Sequence, residues 1–206
     1  MSKNLLKFIL LTISLSLFIS CNYSTSNVNK NAVVKKGVAP IADAEVAVIE
    51  MEEPVYGKFT IELYSNIAPE MVKRFKDLAR EGVYNGTSFH RINVAVIQGG
   101  DPLSKDENPE NDGTGKSNKP NVPAEFSDIF YDSAIVGAAR SQDVNSQNSQ
   151  FFITLKRTPE FDEKYTIFGK VVEGMNNVRT IAGVPREGER PIETVKIKSV
   201  TIQQKK

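Results

Sequence analysis

The chain has one histidine, His90, and one cysteine, Cys21, in 206 residues. That scarcity excludes most covalent and metal chemistry. A serine or cysteine nucleophile needs a base beside it. His90 is the sole imidazole, and its neighbour Arg91 disfavours protonation without orienting the ring as a carboxylate would. A zinc site takes three or four His, Cys or carboxylate ligands; one His and one Cys do not supply the usual set, and the carboxylates form no paired motif. No metal and no cofactor are therefore expected. An excess of one charge is also missing, with 26 basic residues against 25 acidic, so no basic footprint for nucleic acid is expected. What is present, a 40% hydrophobic share, is enough for one core, and the length suits one domain with an extension.

The extension is at the N-terminus. Lys3 and Lys7 flank the start of an apolar run, "FILLTISLSLFIS" at residues 8–20. It is too short to span a bilayer comfortably and has the length of a secretion signal. Cys21 follows at once. "LFISC" resembles a bacterial lipobox, in which the cysteine becomes the lipidated first residue of the mature chain; Phe18 stands where leucine is usual. A plain signal peptide with an incidental cysteine and a retained single-span anchor are the alternatives. The lipobox reading makes residues 1–20 a signal peptide and Cys21 a lipid anchor. It places the protein in the cell envelope, on the periplasmic or extracytoplasmic face of a bacterial membrane. Several acyl chains would hold it firmly there, where a single chain binds only marginally. Residues 22–43 are polar, rich in Asn and Ser and without periodicity, and read as a flexible tether. The domain proper is expected over residues 44–206.

Within it, "AEVAVIEM" and "GKFTIELY" read as a hairpin. "APEMVKRFKDLAREG" is the clearest helix: Pro69 suits its first turn, Met71, Phe75, Leu78 and Ala79 fall on one face, and Gly82 offers a stop. "TSFHRI", "AVIQGG", "AIVGAARS", "SQFFITL" and "YTIFGKVV" are strand-like, "MNNVRTIAGV" is a second short helix, and "ETVKIKSVTIQQ" alternates as a last strand. About eight strands with two helices predict a mainly β fold, an eight-stranded antiparallel barrel closed so that few edges stay exposed and capped by the two helices. A loop rich in Gly, Pro, Asn and acids separates Asp101 from Phe126, and loops this long are often functional. Its "GTGKS" is not a phosphate loop, because Glu110 stands five positions before Gly115, where the motif needs glycine.

"FHR", "QGGD", "NSQFFI" and "FGKVVEGM", in this order, resemble cyclophilins, the eight-stranded peptidyl-prolyl isomerases. The likeness runs from about Glu45 to Gln203. It implies chemistry without bond breaking, rotation about X–Pro bonds against a barrier of ~18–20 kcal/mol set by amide resonance. Arg91 matches the family's catalytic arginine, whose permanently charged guanidinium engages the prolyl nitrogen. Gln150 and Phe152 alternate onto one side of their strand and match a backbone donor and the floor under the proline ring. Gln98 matches a groove residue that hydrogen-bonds substrate carbonyl. His90 matches a wall of the groove and is read as a neighbour, not a base. Phe161 and Tyr165 match the opposite wall. Ala139 and Arg140, with Ser141, match the segment that clamps the residue before proline. The sequence departs from the family in three places. The link "INVAVI" between Arg91 and Gln98 is one residue short and lacks the usual aromatic, with Val96 at the methionine position, so the pocket is expected to be shallower on one side. The loop from Asp101 to Gly113 is about six residues longer than usual. Glu160 replaces an aromatic, so cyclosporin-like macrocycles are expected to bind weakly. The partners implied are proline-containing polypeptides and unfolded exported proteins, met by a monomer. A cyclophilin-like module or chaperone that holds proline segments with weak or no turnover is the alternative.

Overall fold

Alternation of apolar and polar residues builds the first hairpin, β1 (Glu45–Met51) and β2 (Lys58–Leu63). Ala47 pairs with Ile61 and Ile49 with Phe59, and all four side chains are buried. The structure is a computed structural model that describes residues 32–205. The expected signal peptide, Cys21 and the tether as far as residue 31 lie outside the described residues. Helix α1 (Pro69–Arg80) follows, then β3 (Arg91–Ile92), β4 (Val96–Gly99), β5 (Ile135–Ala138), β6 (Phe151–Thr154), β7 (Ile167–Glu173), α2 (Met175–Ala182), β8 (Arg186–Glu187), β9 (Arg190–Pro191) and β10 (Ile197–Gln204).

Both ends of α1 follow from its sequence. Pro69 opens it, and the Glu125 carboxylate accepts from the otherwise free Glu70 and Met71 amides at 3.2 and 3.0 Å. At the other end Val83 N–H donates to Leu78 and Gly82 N–H to Ala79, with Gly82 at φ +70°. This is the reciprocal pair that glycine makes possible just past a helix end.

Eight strands form one antiparallel sheet in the order β10-β1-β2-β7-β5-β6-β4-β3, and β8 and β9 form a separate two-stranded ribbon. The sheet curls but does not close, which corrects the expectation of a closed barrel. The terminal strands β10 and β3 share no ladder. Their flanking residues are joined by a bridge between Ser88 and Lys196 and by bonds such as Ile197 N–H to Thr87 O, 2.7 Å. β3 is only two residues long, and after it the chain turns straight back into β4. Asn93 makes that turn, its side-chain oxygen accepting from Ala95 and Val96 N–H at 2.8 and 3.0 Å. The alternation read in the last strand is also broken, since the register slips between Glu50 and Met51 of its partner and Ile197 and Val200 both face inward.

α1 packs on β10 and β7, and α2 on β2 and β4. Phe75, Tyr84, Phe89, Phe151 and Phe168 fill the main core, with Phe75 edge-on to Phe151 at 5.5 Å between centroids. Residues 32–43, read from sequence as the end of a flexible tether, lie along the domain instead. Lys35 exchanges backbone bonds with Phe126 and Asp128, its ammonium donates to Ile67 O at 2.7 Å, and Asp43 accepts from Ser65 and Lys76. Composition showed the absence of periodicity, but not the partners that these backbone groups find.

Candidate active site

Three ladders place the site in one row. Arg91 on β3 pairs with Gln98 on β4, Gln98 with Phe152 on β6, and Phe152 with Gly137 on β5. Residues directly opposite in antiparallel strands share a face, so a guanidinium, an amide and an aromatic ring stand side by side across three strands. Gly137 leaves the space that the Phe152 ring occupies. A Cβ there would lie 2.8 Å from Phe152 Cε2 and 2.7 Å from the Tyr131 hydroxyl.

The apolar end of the row is a second cluster, apart from the main core. It joins Phe152 with Tyr131, Val96, Ile135 and Ile167, with Phe161, Tyr165 and Ala139 packed against them. Phe152 meets Phe161 and Tyr165 near edge-on at 5.3 and 5.6 Å and stacks on Tyr131 at 5.7 Å. Phe151 and Ile153 point into the main core, as strand alternation requires. Phe161 ends a one-turn 3-10 helix, Pro159–Phe161. Arg140 lies 4.5 Å over the Tyr165 ring and is tethered to Lys164 O, which fixes that wall.

The polar end is a continuous hydrogen-bonded chain. Arg91 Nη1 donates to Gln98 Oε1 at 3.3 Å, Gln98 Nε2 to Gln150 Oε1 at 2.9 Å, and Gln150 Nε2 to the Gly113 and Gly115 carbonyls at 3.0 and 2.8 Å. Gln150 O also accepts from Ala139 N–H. Gly115 N–H donates to the buried Asp101 carboxylate. Within "GTGKS" the Gly113 and Gly115 backbone is thus committed to Gln150 and Asp101, and Ser117 N–H to Asn148. A cavity of about 360 Å³ adjoins the row, between Gln98, Gly113, Ala139, Arg140 and Gln150.

His90 is buried beside this chain, against Gly113. Burial pushes its pKa below the ordinary 6.5; Asp101 pulls upward without reversing the shift, and Arg91 adds to it. Neither ring nitrogen has a hydrogen-bond partner among the described residues. A neutral imidazole with no orienting carboxylate is not a poised base.

The structure gathers His90, Arg91, Val96, Gln98, Ala139, Arg140, Gln150, Phe152, Phe161 and Tyr165 around one face. Sequence reasoning passed over Tyr131, Gly137, Asn93 and Glu189. Gly137, inside the otherwise apolar "AIVGAA", carried a usable signal, since an isolated glycine in a strand marks a close approach. Glu189 carried none. It arrives from β9's hairpin, 98 residues beyond Arg91 in the chain, to bond Arg91 Nε at 2.5 Å.

Residues 46–202 match the family model described as cyclophilin type peptidyl-prolyl cis-trans isomerase/CLD. A probable peptidyl-prolyl cis-trans isomerase of Brucella suis is 44% identical over 130 residues, covering 61% of this chain; the match spans 66% of that relative's length. Peptidyl-prolyl cis-trans isomerase-like 1 of Neurospora crassa is 41% identical over 152 residues, 70% of this chain and 88% of that one. Among solved structures, a Cryptosporidium parvum cyclophilin type isomerase crystallised with the dipeptide Ala-Pro aligns with a TM-score of 0.69 at 29% identity, covering 78% of this chain and 99% of that one.

Proposed function

We propose, from the premise that this chain belongs to the cyclophilin-type peptidyl-prolyl cis-trans isomerase family, that it accelerates X–Pro rotation in polypeptides and that Arg91 does so without breaking a bond. Rotation out of the amide plane returns the nitrogen lone pair from resonance. A guanidinium donor placed at that nitrogen stabilises the twisted state more than either planar one, which is what lowers a barrier. The proline ring would lie against Phe152, Phe161 and Tyr165, with Gln98 and Gln150 engaging substrate backbone and Ala139 and Arg140 flanking the residue before proline. The observation that carries this reading is the single row of Arg91, Gln98 and Phe152 across three paired strands, with a permanent charge at one end and an aromatic floor at the other.

The test is isomerisation of X–Pro peptides, followed by NMR exchange or a protease-coupled assay. Arg91→Ala should lower kcat/KM by ~10²–10³, about 3–4 kcal/mol of transition-state stabilisation, with peptide affinity much less affected. Arg91→Lys should recover little, since an ammonium lacks the planar fork. Peptide binding with no acceleration in the wild type would establish the binding-module reading instead.

The lipobox-like "LFISC" supports a second part of the proposal: acylation at Cys21, membrane attachment outside the cytoplasm, and exported proteins as clients. Cys21→Ser should release the protein from membranes or block its processing. Unchanged mass and unchanged membrane retention would exclude acyl anchoring.

A further inference from the structure

The ribbon of β8 and β9 stands outside the main sheet, yet its turn touches the row. Gly188, at φ +61°, lets the ribbon reverse, and the next residue, Glu189, lies against β3. Ile92 N–H donates to Glu189 O at 2.7 Å, so the turn covers part of an edge strand that would otherwise present a free amide. The Glu189 side chain then divides its two oxygens. Oε2 takes Arg91 Nε at 2.5 Å, and Oε1 takes Asn93 Nδ2 at 2.7 Å. Asn93 is itself fixed, because its oxygen holds the Ala95 and Val96 amides of the shortened link. The carboxylate is therefore braced from behind by the turn whose geometry follows from the short link.

Arg91 and Glu189 are about half exposed, with side chains 48% and 46% accessible, so as an isolated surface pair they would add little stability. Their arrangement matters for a different reason. Arginine is a long side chain with many rotamers, and only some of them aim its fork along the row. With Nε on Glu189 and Nη1 on Gln98, the guanidinium plane is set by contacts on two sides, and among the described residues Nη2 has no partner. The same hydrogen bonds, from Arg91 first and then Asn93, hold the Glu189 carboxyl below its ordinary pKa. It stays ionised throughout the neutral range.

Building on the reading of Arg91 as the catalytic group, we propose that Glu189 is a positioning residue for this isomerase: it occupies Arg91 Nε and presents the guanidinium edge to the prolyl nitrogen. The carboxylate touches no substrate and acts only through the arginine.

The test measures kcat/KM and peptide Kd for wild type, Glu189→Ala, Glu189→Gln, Arg91→Ala and the Arg91→Ala/Glu189→Ala double variant, using NMR exchange so that slow variants remain measurable. Glu189→Ala should lower kcat/KM about tenfold with peptide Kd changed less than about twofold, and Glu189→Gln, which keeps an acceptor for Nε, should lose only about threefold. In the Arg91→Ala background Glu189→Ala should change nothing further, because coupled residues are not additive. Wild-type activity in Glu189→Ala, or the same tenfold loss with Arg91 already removed, would overturn the proposal while leaving the arginine mechanism intact. Activity that survives Arg91→Ala would overturn that mechanism and the role of Glu189 with it.

Discussion

Gly137 has only a hydrogen where the Phe152 ring crosses its strand, which leaves room for that ring. Gly137→Ala is expected to force the new methyl against Phe152 and the Tyr131 hydroxyl, both of which are buried. Overpacking of this kind costs about 1–3 kcal/mol. Denaturant unfolding should show that loss, and the isomerase assay should show weaker peptide binding, because the ring is pushed toward the place where proline would lie. Wild-type affinity in a folded Gly137→Ala would mean that Phe152 is not the floor. Around this glycine, the legible part of the site was the part that short motifs carry, on the strands and beside them. Gln150 and Phe152 alternate onto one side of the chain, while Gln98, Phe161 and Tyr165 were implied by the family resemblance. Tyr131 and Glu189 were not legible, because no motif includes them and only the fold brings them to the row. Tyr131 precedes β5, and Glu189 lies in the turn of a ribbon, and no local pattern encodes such long-range meetings.

At the scale of elements, the loop from Asp101 to Phe126 is two structures in one. Its first turn belongs to the fold: Asp101 and Ser104 are buried, Asp101 accepts from Leu103 N–H at 2.8 Å, and Ser104 Oγ accepts from Ser88 N–H at 2.9 Å. Its far end, Gly113 to Gly115, holds Gln150. Between them residues 106–111 are largely exposed, and Glu110 reaches Arg190 at 2.7 Å, with the glutamate side chain 76% accessible. Shortening within 106–111 should leave cooperative unfolding and stability nearly unchanged, since loop length alone carries a small entropic effect. A deletion that takes Ser104 should be clearly destabilising, because it leaves the buried Ser88 amide unpaired, at about 1–3 kcal/mol. Calorimetry on the two deletions separates these outcomes. A large loss from the 106–111 deletion would show that the tip packs into the domain. The eight strands of the main sheet and both helices were legible as apolar or alternating runs and helical segments, and the β8–β9 ribbon was not. The open sheet was not, because closure depends on how two distant ends meet, and residues 86–89 meet residues 195–197 only through one bridge and a few backbone bonds.

For the whole molecule, the domain starts earlier than its first strand. Residues 32–43 thread from Phe126 past Ile67 to Asp43, whose carboxylate receives Lys76 at 2.6 Å with side chains only 14% and 13% accessible. Burial acts to raise the Asp43 pKa, but the bonds from Lys76 and Ser65 together outweigh it and hold the group below its ordinary 3.8. A domain beginning at Ala44 should therefore be less stable than one beginning at Ala32. The expected loss is about 2 kcal/mol, the size of hydrogen bonds to a charged group. It stays below the 3–5 kcal/mol or so of a fully broken buried pair because Lys76 keeps Glu45 at 3.1 Å. In a domain of this size that is a fall in Tm of about 4–8 °C. The pH dependence has a definite sign. A carboxyl with a lowered folded pKa contributes its full share above the unfolded value and loses it as pH falls through the folded one. The gap between the two fragments should be constant from neutral to about pH 5, shrink below about pH 4 near the carboxylate reference values, and fall at lower pH, as Asp43 protonates, to the part held by the Lys35 bonds. Thermal melts of both fragments across that range measure it. A gap that persisted undiminished at pH 2 would assign the stabilisation to the Lys35 backbone bridge and not to the aspartate.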